Sequence, residues 1–243
     1  YPHFGCVIQA YLRDSHHDIK RLTDFAKKRR VPFTVRLVKG AYWDYETINA
    51  QQKGWDTPVY TNKKESDANY EDCALHLLQN SDFIRLALGS HNVRSISAVL
   101  VHAERLGLDP RAIEIQMLYG MADPIKKALV KMNYRVREYA PVGELIPGMA
   151  YLVRRLLENT SNESFLKSKF ADDVSTAELL KDPKEGLVPS VAAFKKIDGR
   201  FYNEAPLDFA IPEWRDKMLK GLADFTKMAK GAEYPMVIGG KEV

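Results

Sequence analysis

Cysteine is nearly absent from these 243 residues: Cys6 and Cys73 sit far apart and suit a reducing compartment better than a disulfide framework. Long apolar runs are missing too, so neither a secretory signal peptide nor a membrane span is read. Charge of one sign does not dominate. The formal balance is +4 and dispersed, which argues against nucleic acid as a partner. The densest basic run, Lys27-Lys28-Arg29-Arg30, closes a helical pattern and complements a helix C-terminus. No Gly-x-Gly-x-x-Gly follows the first strand-like run, which removes the best support for a dinucleotide-binding sheet. Internal repeats and low-complexity tracts are also lacking. What remains is an ordinary globular composition, 45% hydrophobic and 28% charged. The expectation is a soluble, cytoplasmic chain with one full domain or one and a half smaller ones.

Five short apolar runs, 6–11, 34–41, 83–90, 113–118 and 136–142, predict strands. Amphipathic patterns over 15–30, 66–79, 93–106 and 124–132 predict helices between them. Strands alternating with helices imply an α/β fold with a parallel sheet, either doubly wound or part of a (β/α)8 barrel. Residues two apart on a strand share a face, and four faces carry polar groups. The rows are Val7, Gln9 and Tyr11; Arg36, Val38 and Gly40; Glu114, Gln116 and Leu118; and Arg137 with Tyr139. Buried polar groups without partners cost about 1–3 kcal/mol each. Four such rows, polar mostly near the strand C-termini, point to a ligand across those ends, where barrel active sites lie. A barrel needs eight strands, so three would lie upstream of Tyr1.

The polar rows lead to one helix. Gly148 to Asn159, read at about 100° per residue, places Tyr151, Arg154, Arg155 and Glu158 on one arc, with Leu152, Val153, Leu156 and Leu157 opposite. Two adjacent guanidiniums beside a tyrosine are shaped to hold a small carboxylate, because each offers a planar fork of donors. Beyond about Ala171 the alternation stops. Residues 172–186 are acidic and loop-like, 188–209 mix short apolar pieces with proline and glycine, and 211–231 read as a helix with Pro212 in its first turn and Gly231 at its stop. Residues 234–243 read as a strand, a glycine turn and the start of a return strand that never arrives. Both ends look cut, and the expectation is a segment of a longer protein.

Six motifs occur in order: Val7-Ile-Gln-Ala-Tyr11, Val35-Arg-Leu-Val-Lys-Gly-Ala-Tyr-Trp43, Gly89-Ser-His-Asn92, Gln116-Met-Leu-Tyr-Gly120, Tyr139-Ala-Pro-Val-Gly143 and Tyr151-Leu-Val-Arg-Arg-Leu-Leu-Glu158. Together they resemble the flavin-dependent proline dehydrogenase family, and within it the bacterial bifunctional proline utilisation A proteins, over residues 1 to about 170. The resemblance implies a domain order: 1–170, the C-terminal five strands of a proline dehydrogenase (β/α)8 barrel; 171–210, a linker; 211–243, the start of an aldehyde dehydrogenase-like domain, the Δ1-pyrroline-5-carboxylate dehydrogenase. It implies L-proline as substrate and FAD as cofactor, with a hydride passing from the proline ring to the flavin to give Δ1-pyrroline-5-carboxylate. Electrons would go on to membrane quinone, which adds peripheral contact with the inner face of the membrane. NAD would serve only the downstream domain, whose site is not in this chain.

The resemblance also implies roles. Arg154 and Arg155 would clamp the substrate carboxylate, with Tyr139, Tyr151 and Tyr42 around the proline ring. Gln9 would donate to the isoalloxazine and Arg36 would stabilise its reduced form. Val38, Lys39, Gly40 and Ala41 would line the flavin, Gly40 permitting close approach; Trp43 would stack near the adenine. Thr61 and Lys63 would cover the adenosine side. Ser90, His91 and Asn92 would meet phosphate at a helix start, and Gln116, Leu118, Glu158 and Phe165 would complete the flavin pocket. No metal is expected. A lysine and an aspartate that the family places around proline belong to the upstream half of the barrel, so activity of these residues alone is not expected. Two other classes stand beside this reading. Lys39 at a strand end could form a Schiff base in an aldolase-type barrel, although alternation points it away from Arg36; borohydride trapping would reveal it. The other is a non-catalytic structural segment, which bound flavin would exclude.

Overall fold

Alternation along the strands decides which way each side chain points, and the computed structural model shows the result. It describes residues 4–160, 175–191, 201 and 203–242, without the side chains of residues 155–160 and 176. Five strands, β1 (Gly5–Gln9), β2 (Phe33–Val38), β3 (Ile84–Gly89), β4 (Glu114–Leu118) and β5 (Arg135–Tyr139), form one parallel sheet in sequential order. Between them run α1 (Ser15–Arg29), α2 (Trp43–Lys53), α3 (Lys63–Gln79), α4 (Val93–Arg105) and α5 (Asp123–Lys131). A doubly wound sheet reverses its strand order at a switch point; this one never does. The α/β architecture is that of a barrel segment.

The helices cover one face. Val35, Leu37, Ile84, Leu86, Leu88, Ile113, Ile115 and Met117 are buried against Ile19 and Ala26 of α1, Tyr70, Cys73 and Leu77 of α3, and Ile96 and Val99 of α4. The opposite face is unlike it. Val7 lies beside Arg36, Arg36 beside Ala87, Ala87 beside Glu114, and Gln116 beside Arg137, so the four polar rows share one side of the sheet. Part of that polarity is satisfied internally: Gln116 Nε2 donates to Glu114 Oε1 at 2.6 Å, and Arg137 pairs with Glu114 at 2.9 Å.

Strands end earlier than the apolar runs imply. β1 and β2 stop before Tyr11 and Gly40, which belong to the loops at the sheet's C-terminal edge. α2 has no counterpart among the expected helices, and α3 begins three residues before its expected start, at an Asn62 cap whose Oδ1 accepts the Lys64 N–H at 3.0 Å. The basic run behaves as expected: Lys27, Lys28 and Arg29 fill the last turn of α1, and Arg30 caps it in the left-handed region at φ 58°. After β5 comes α6 (Leu145–Thr160), then a four-residue turn of helix, α7 (Thr176–Leu179), inside the stretch expected to be loop. α8 (Pro212–Ala229) matches the expected tail helix. The return strand does arrive: β6 (Val237–Ile238) pairs antiparallel with β7 (Lys241–Glu242) within the chain, because Gly239 and Gly240 both take positive φ and close the turn. Among the described residues no helix is long and apolar enough to cross a membrane.

One contact between α1 and α3 carries a proton-dependent load. Thr23 Oγ1 donates its proton to the Ile19 carbonyl at 2.8 Å, so the 3.3 Å contact with His76 Nε2 requires the imidazole to donate. His16 lies edge-on at 5.8 Å. Burial, His16, Lys20 and Lys27 hold the His76 pKa below its ordinary 6.5, against Asp24. A folded-state pKa below the unfolded one gives stability that is complete above pH 6.5 and lost as pH falls through the folded value. His76→Gln keeps a donor without the titration. Its melting temperature should drop less than the parent's between pH 7.5 and 5.5; equal drops would exclude His76 as the source.

Candidate functional site

The C-terminal edge of the sheet gathers most of the residues singled out above. At β1 and β2, Ala10 N–H donates to the Val38 carbonyl and Tyr11 N–H to the Lys39 carbonyl, extending the pairing past the strand ends. The chain then turns at Gly40, whose φ of 131° lies in a region that side chains rarely adopt. The buried Tyr11 ring rests directly on Gly40. Burial raises the Tyr11 hydroxyl to about 12, with Glu46 adding to the effect. Tyr11 stands in a recognised motif, yet its role as the platform under Gly40 was not read from the sequence.

Arg36 emerges on the open face beside Gly89, where a Cβ would come within 2.9 Å of Val38 Cγ1 and 3.6 Å of Arg36 Nε. Glycine therefore makes the room in which Arg36 and Val38 sit. The Arg36 Nε atom is buried and has no hydrogen-bond partner among the described residues. A buried charged donor left unpaired is costly, so this face is built for an acceptor. Gln9, partly buried, lies beside Val38 in the register.

Lys39 goes the other way. Its ammonium pairs with Asp67 of α3 and lies 5.4 Å from the centroid of the Tyr70 ring. Burial lowers its pKa, with Asp67 opposing that shift. Burial works against the Asp67 carboxylate, but Lys39 and Lys63 outweigh it and keep its pKa below the usual value. A lysine committed to a carboxylate on the helix side is ill placed as a Schiff-base nucleophile. What Lys39 presents at the sheet edge is backbone. Asp67 was also missed in the sequence; its signal was the i,i+4 spacing from Lys63, to which it pairs at 2.6 Å.

Ser90, His91 and Asn92 lie at the start of α4 as expected, and each has a structural task. Ser90 Oγ accepts the Asn92 N–H at 3.0 Å, and Asn92 Oδ1 caps the helix through the Ser95 N–H at 3.2 Å. His91 Nε2 accepts the Leu118 N–H at 3.1 Å, tying the end of β4 to the end of β3. Trp43 donates to the Tyr60 carbonyl at 2.9 Å, beside Thr61 and Lys63; Ala41 is exposed on the same loop.

α6 completes the arrangement. Its Tyr151 ring lies 5.7 Å from that of Tyr139 at the end of β5, and the Arg154 guanidinium lies 6.0 Å from the Tyr42 ring at the start of α2. Tyr42, Tyr139, Tyr151 and Arg154 thus converge from three elements. Arg155 and Glu158 belong to the backbone of α6, but their side chains lie outside the described residues, as does all of Phe165. No group of three or more metal-ligating side chains is found among the described residues.

Comparison with known proteins adds independent findings. The family model described as proline dehydrogenase matches residues 1–168. The bifunctional protein PutA of Salmonella typhimurium is 40% identical over 190 residues, 75% of this chain and 14% of that protein. Mitochondrial proline dehydrogenase 1 of Homo sapiens is 30% identical over 158 residues, covering 63% of this chain and 26% of that protein. A crystal structure of proline utilization A from Bdellovibrio bacteriovorus, inactivated by N-propargylglycine, superposes with a TM-score of 0.89 at 64% identity, covering 99% of this chain and 25% of that one. The chain spans about a seventh of the length of the curated PutA relatives it matches.

The Gly40 turn supplies a test of the edge geometry. An alanine Cβ at this position would meet Tyr11 ring atoms at 2.5 Å, near the root of a buried side chain that cannot swing aside. Gly40→Ala should cost about 1–3 kcal/mol, read as a lower denaturant midpoint at unchanged m. An unaltered midpoint would show that the turn is not held by Tyr11.

Proposed function

Because the chain belongs to the proline dehydrogenase family, we propose that it forms part of a flavin-dependent dehydrogenase that oxidises L-proline, the first step of proline breakdown to glutamate. The observation that carries this reading is the convergence of Tyr42, Tyr139, Tyr151 and Arg154 at one end of a sheet whose open face holds Arg36, its buried Nε without a hydrogen-bond partner among the described residues. Membership of the family implies a flavin; that it is FAD is part of the proposal. The residues fit such a group. Gly89 clears space over Val38 and Arg36, and the buried Arg36 Nε supplies a donor that lacks an acceptor.

When bound, the flavin supplies the acceptor for the hydride leaving the proline ring, giving Δ1-pyrroline-5-carboxylate. The protein's own residues do the rest. Arg154 and Arg155 hold the substrate carboxylate, fixing the ring's distance and angle. Tyr139 and Tyr151 would form one wall around the proline ring and Tyr42 another, their aromatic faces suited to an apolar ring. Gln9 and Arg36 would hold the isoalloxazine, with Val38, the backbone of Lys39, Gly40 and Ala41, Gln116 and Leu118 completing its pocket. Trp43, Thr61 and Lys63 would lie along the adenosine side, and Ser90, His91 and Asn92 at the start of α4 would meet phosphate. By the family resemblance, Glu158 and Phe165 would complete the pocket. Residues 1–170 serve as the barrel part, 171–210 as a linker and 211–243 as the opening of an aldehyde dehydrogenase-like domain that uses NAD. Work in the cytoplasm, with electrons passing to a membrane quinone, completes the reading. The Lys39–Asp67 pair leaves nothing to favour the aldolase alternative.

Anaerobic addition of L-proline to the flavin-loaded full-length protein tests the whole reading: flavin absorbance should bleach. Arg155→Met should bind flavin normally yet need about ten- to a hundredfold more proline, the worth of a charge-assisted contact. Proline dependence within twofold of the parent would remove this residue from the substrate site. Arg36→Ala should lower the flavin midpoint potential, since the reduced ring loses a neighbouring cation. An unchanged potential in a redox titration would place Arg36 away from the isoalloxazine.

A further inference from the structure

Residues far along the chain return to the candidate site. The segment 175–191 runs beside α3 and α4 and is anchored at both ends. At one end Lys184 pairs with Asp72 at 2.6 Å, Arg94 Nε donates to the Lys181 carbonyl at 3.2 Å, and Pro183 is buried. At the other end Ser190 Oγ accepts from Arg13 Nη2 at 2.8 Å and from the Thr61 N–H at 3.3 Å. Two residues earlier the Val188 carbonyl accepts from Asn62 Nδ2 at 3.4 Å. These contacts span 126 to 177 residues of sequence.

What they hold is the loop from Gly54 to Asn62. Arg13 is the hinge pin: its Nε donates to the Thr57 carbonyl, its N–H to the Pro58 carbonyl, and its guanidinium lies 5.0 Å from the centroid of the Tyr60 ring. Tyr60 N–H reaches back to the Tyr11 carbonyl at 2.8 Å, and Leu12 bridges to the buried Val59. Asn62 faces both ways. While its Nδ2 reaches Val188, its Oδ1 caps α3 at Lys64, so the amide's orientation links the 188–190 segment to the first turn carrying Lys63.

We propose that Ser190 is a positioning residue for the flavin site: by holding Arg13 and the Thr61 N–H it sets where Thr61 and Lys63 stand. The inference rests on the reading of those two residues as contacts to the adenosine side. Ser190 does not itself touch the cofactor. It acts through the loop, and it makes the segment that follows the barrel part of the site's construction. A hydroxyl accepting two donors is the chemistry required, so threonine can replace serine and alanine cannot.

The test uses the full-length protein. Ser190 is half-buried, away from the packed core, so its substitution leaves folding intact. Ser190→Ala loses both hydrogen bonds but acts only through the loop, so it should weaken FAD binding about fivefold, roughly the scale of one hydrogen bond, and speed amide exchange at residues 57–62 in the flavin-free protein. Proline KM of the flavin-saturated variant should stay within twofold of the parent. Ser190→Thr should restore both affinity and protection. Parent-like FAD affinity in Ser190→Ala overturns the proposal, and so does weaker affinity without faster exchange in that loop. A parent protein that takes up no flavin brings down the flavin reading itself and this proposal with it; parent flavin content tells the two failures apart.

Discussion

Burial of a single face of the parallel sheet is the constraint from which the rest follows. Each fully buried Val, Leu or Ile contributes about 1.5–3 kcal/mol, and β2 alone sets Phe33, Val35 and Leu37 against the helices. A slip of one residue would exchange them for Thr34, Arg36 and Val38, placing a guanidinium in the core. Register is therefore determined on the helix side, away from the candidate site. The open face inherits its geometry from that choice.

That inheritance explains how a cluster of polar groups is held without stabilising the fold itself. Arg36 cannot retreat from the open face because Leu37 and Val35 cannot leave the core. Lys39, three residues on, is carried to the helix side and meets Asp67. The same alternation thus separates two cations of one motif, one left facing an open site and the other neutralised. Gly89 and Gly40 are needed at the places where this arrangement brings side chains too close for a Cβ.

Much of this was legible. Five strands, four of their helices and the shared side of the polar rows could be read from period-two and helical patterns, because those patterns are what burial selects. The strand ends could not, since Tyr11 and Lys39–Ala41 prolong the apolar pattern into loops whose turn depends on the Tyr11–Gly40 contact. α2 was invisible for a related reason: Ala50 is its one buried residue, so it has almost no apolar stripe to read. The start of α3 is polar, Lys63-Lys64-Glu65, and only the Asn62 cap marks it. At the site, pattern placed Tyr151 and Arg154 on one arc, but nothing local indicated which ring each would meet. Contacts such as Arg13 with Ser190 are single polar bonds across long separations, and they leave no periodic trace.

α6 is the clearest case of an element whose pattern and placement part company. An amphipathic helix ordinarily turns its apolar stripe inward. Among the described side chains Tyr151 and Arg154 are half-buried, directed at Tyr139 and Tyr42, while Leu152 and Val153 are 46% and 47% exposed. The aromatic contact between Tyr151 and Tyr139, about 0.5–1.5 kcal/mol beyond its area, ties the helix to β5, and the cation–ring contact of Arg154 ties it to the start of α2. Both are contacts of the candidate site. Among the described residues the helix thus presents Tyr151 and Arg154, not its apolar stripe, to the neighbouring elements, so a substitution at either position removes a contact that places it.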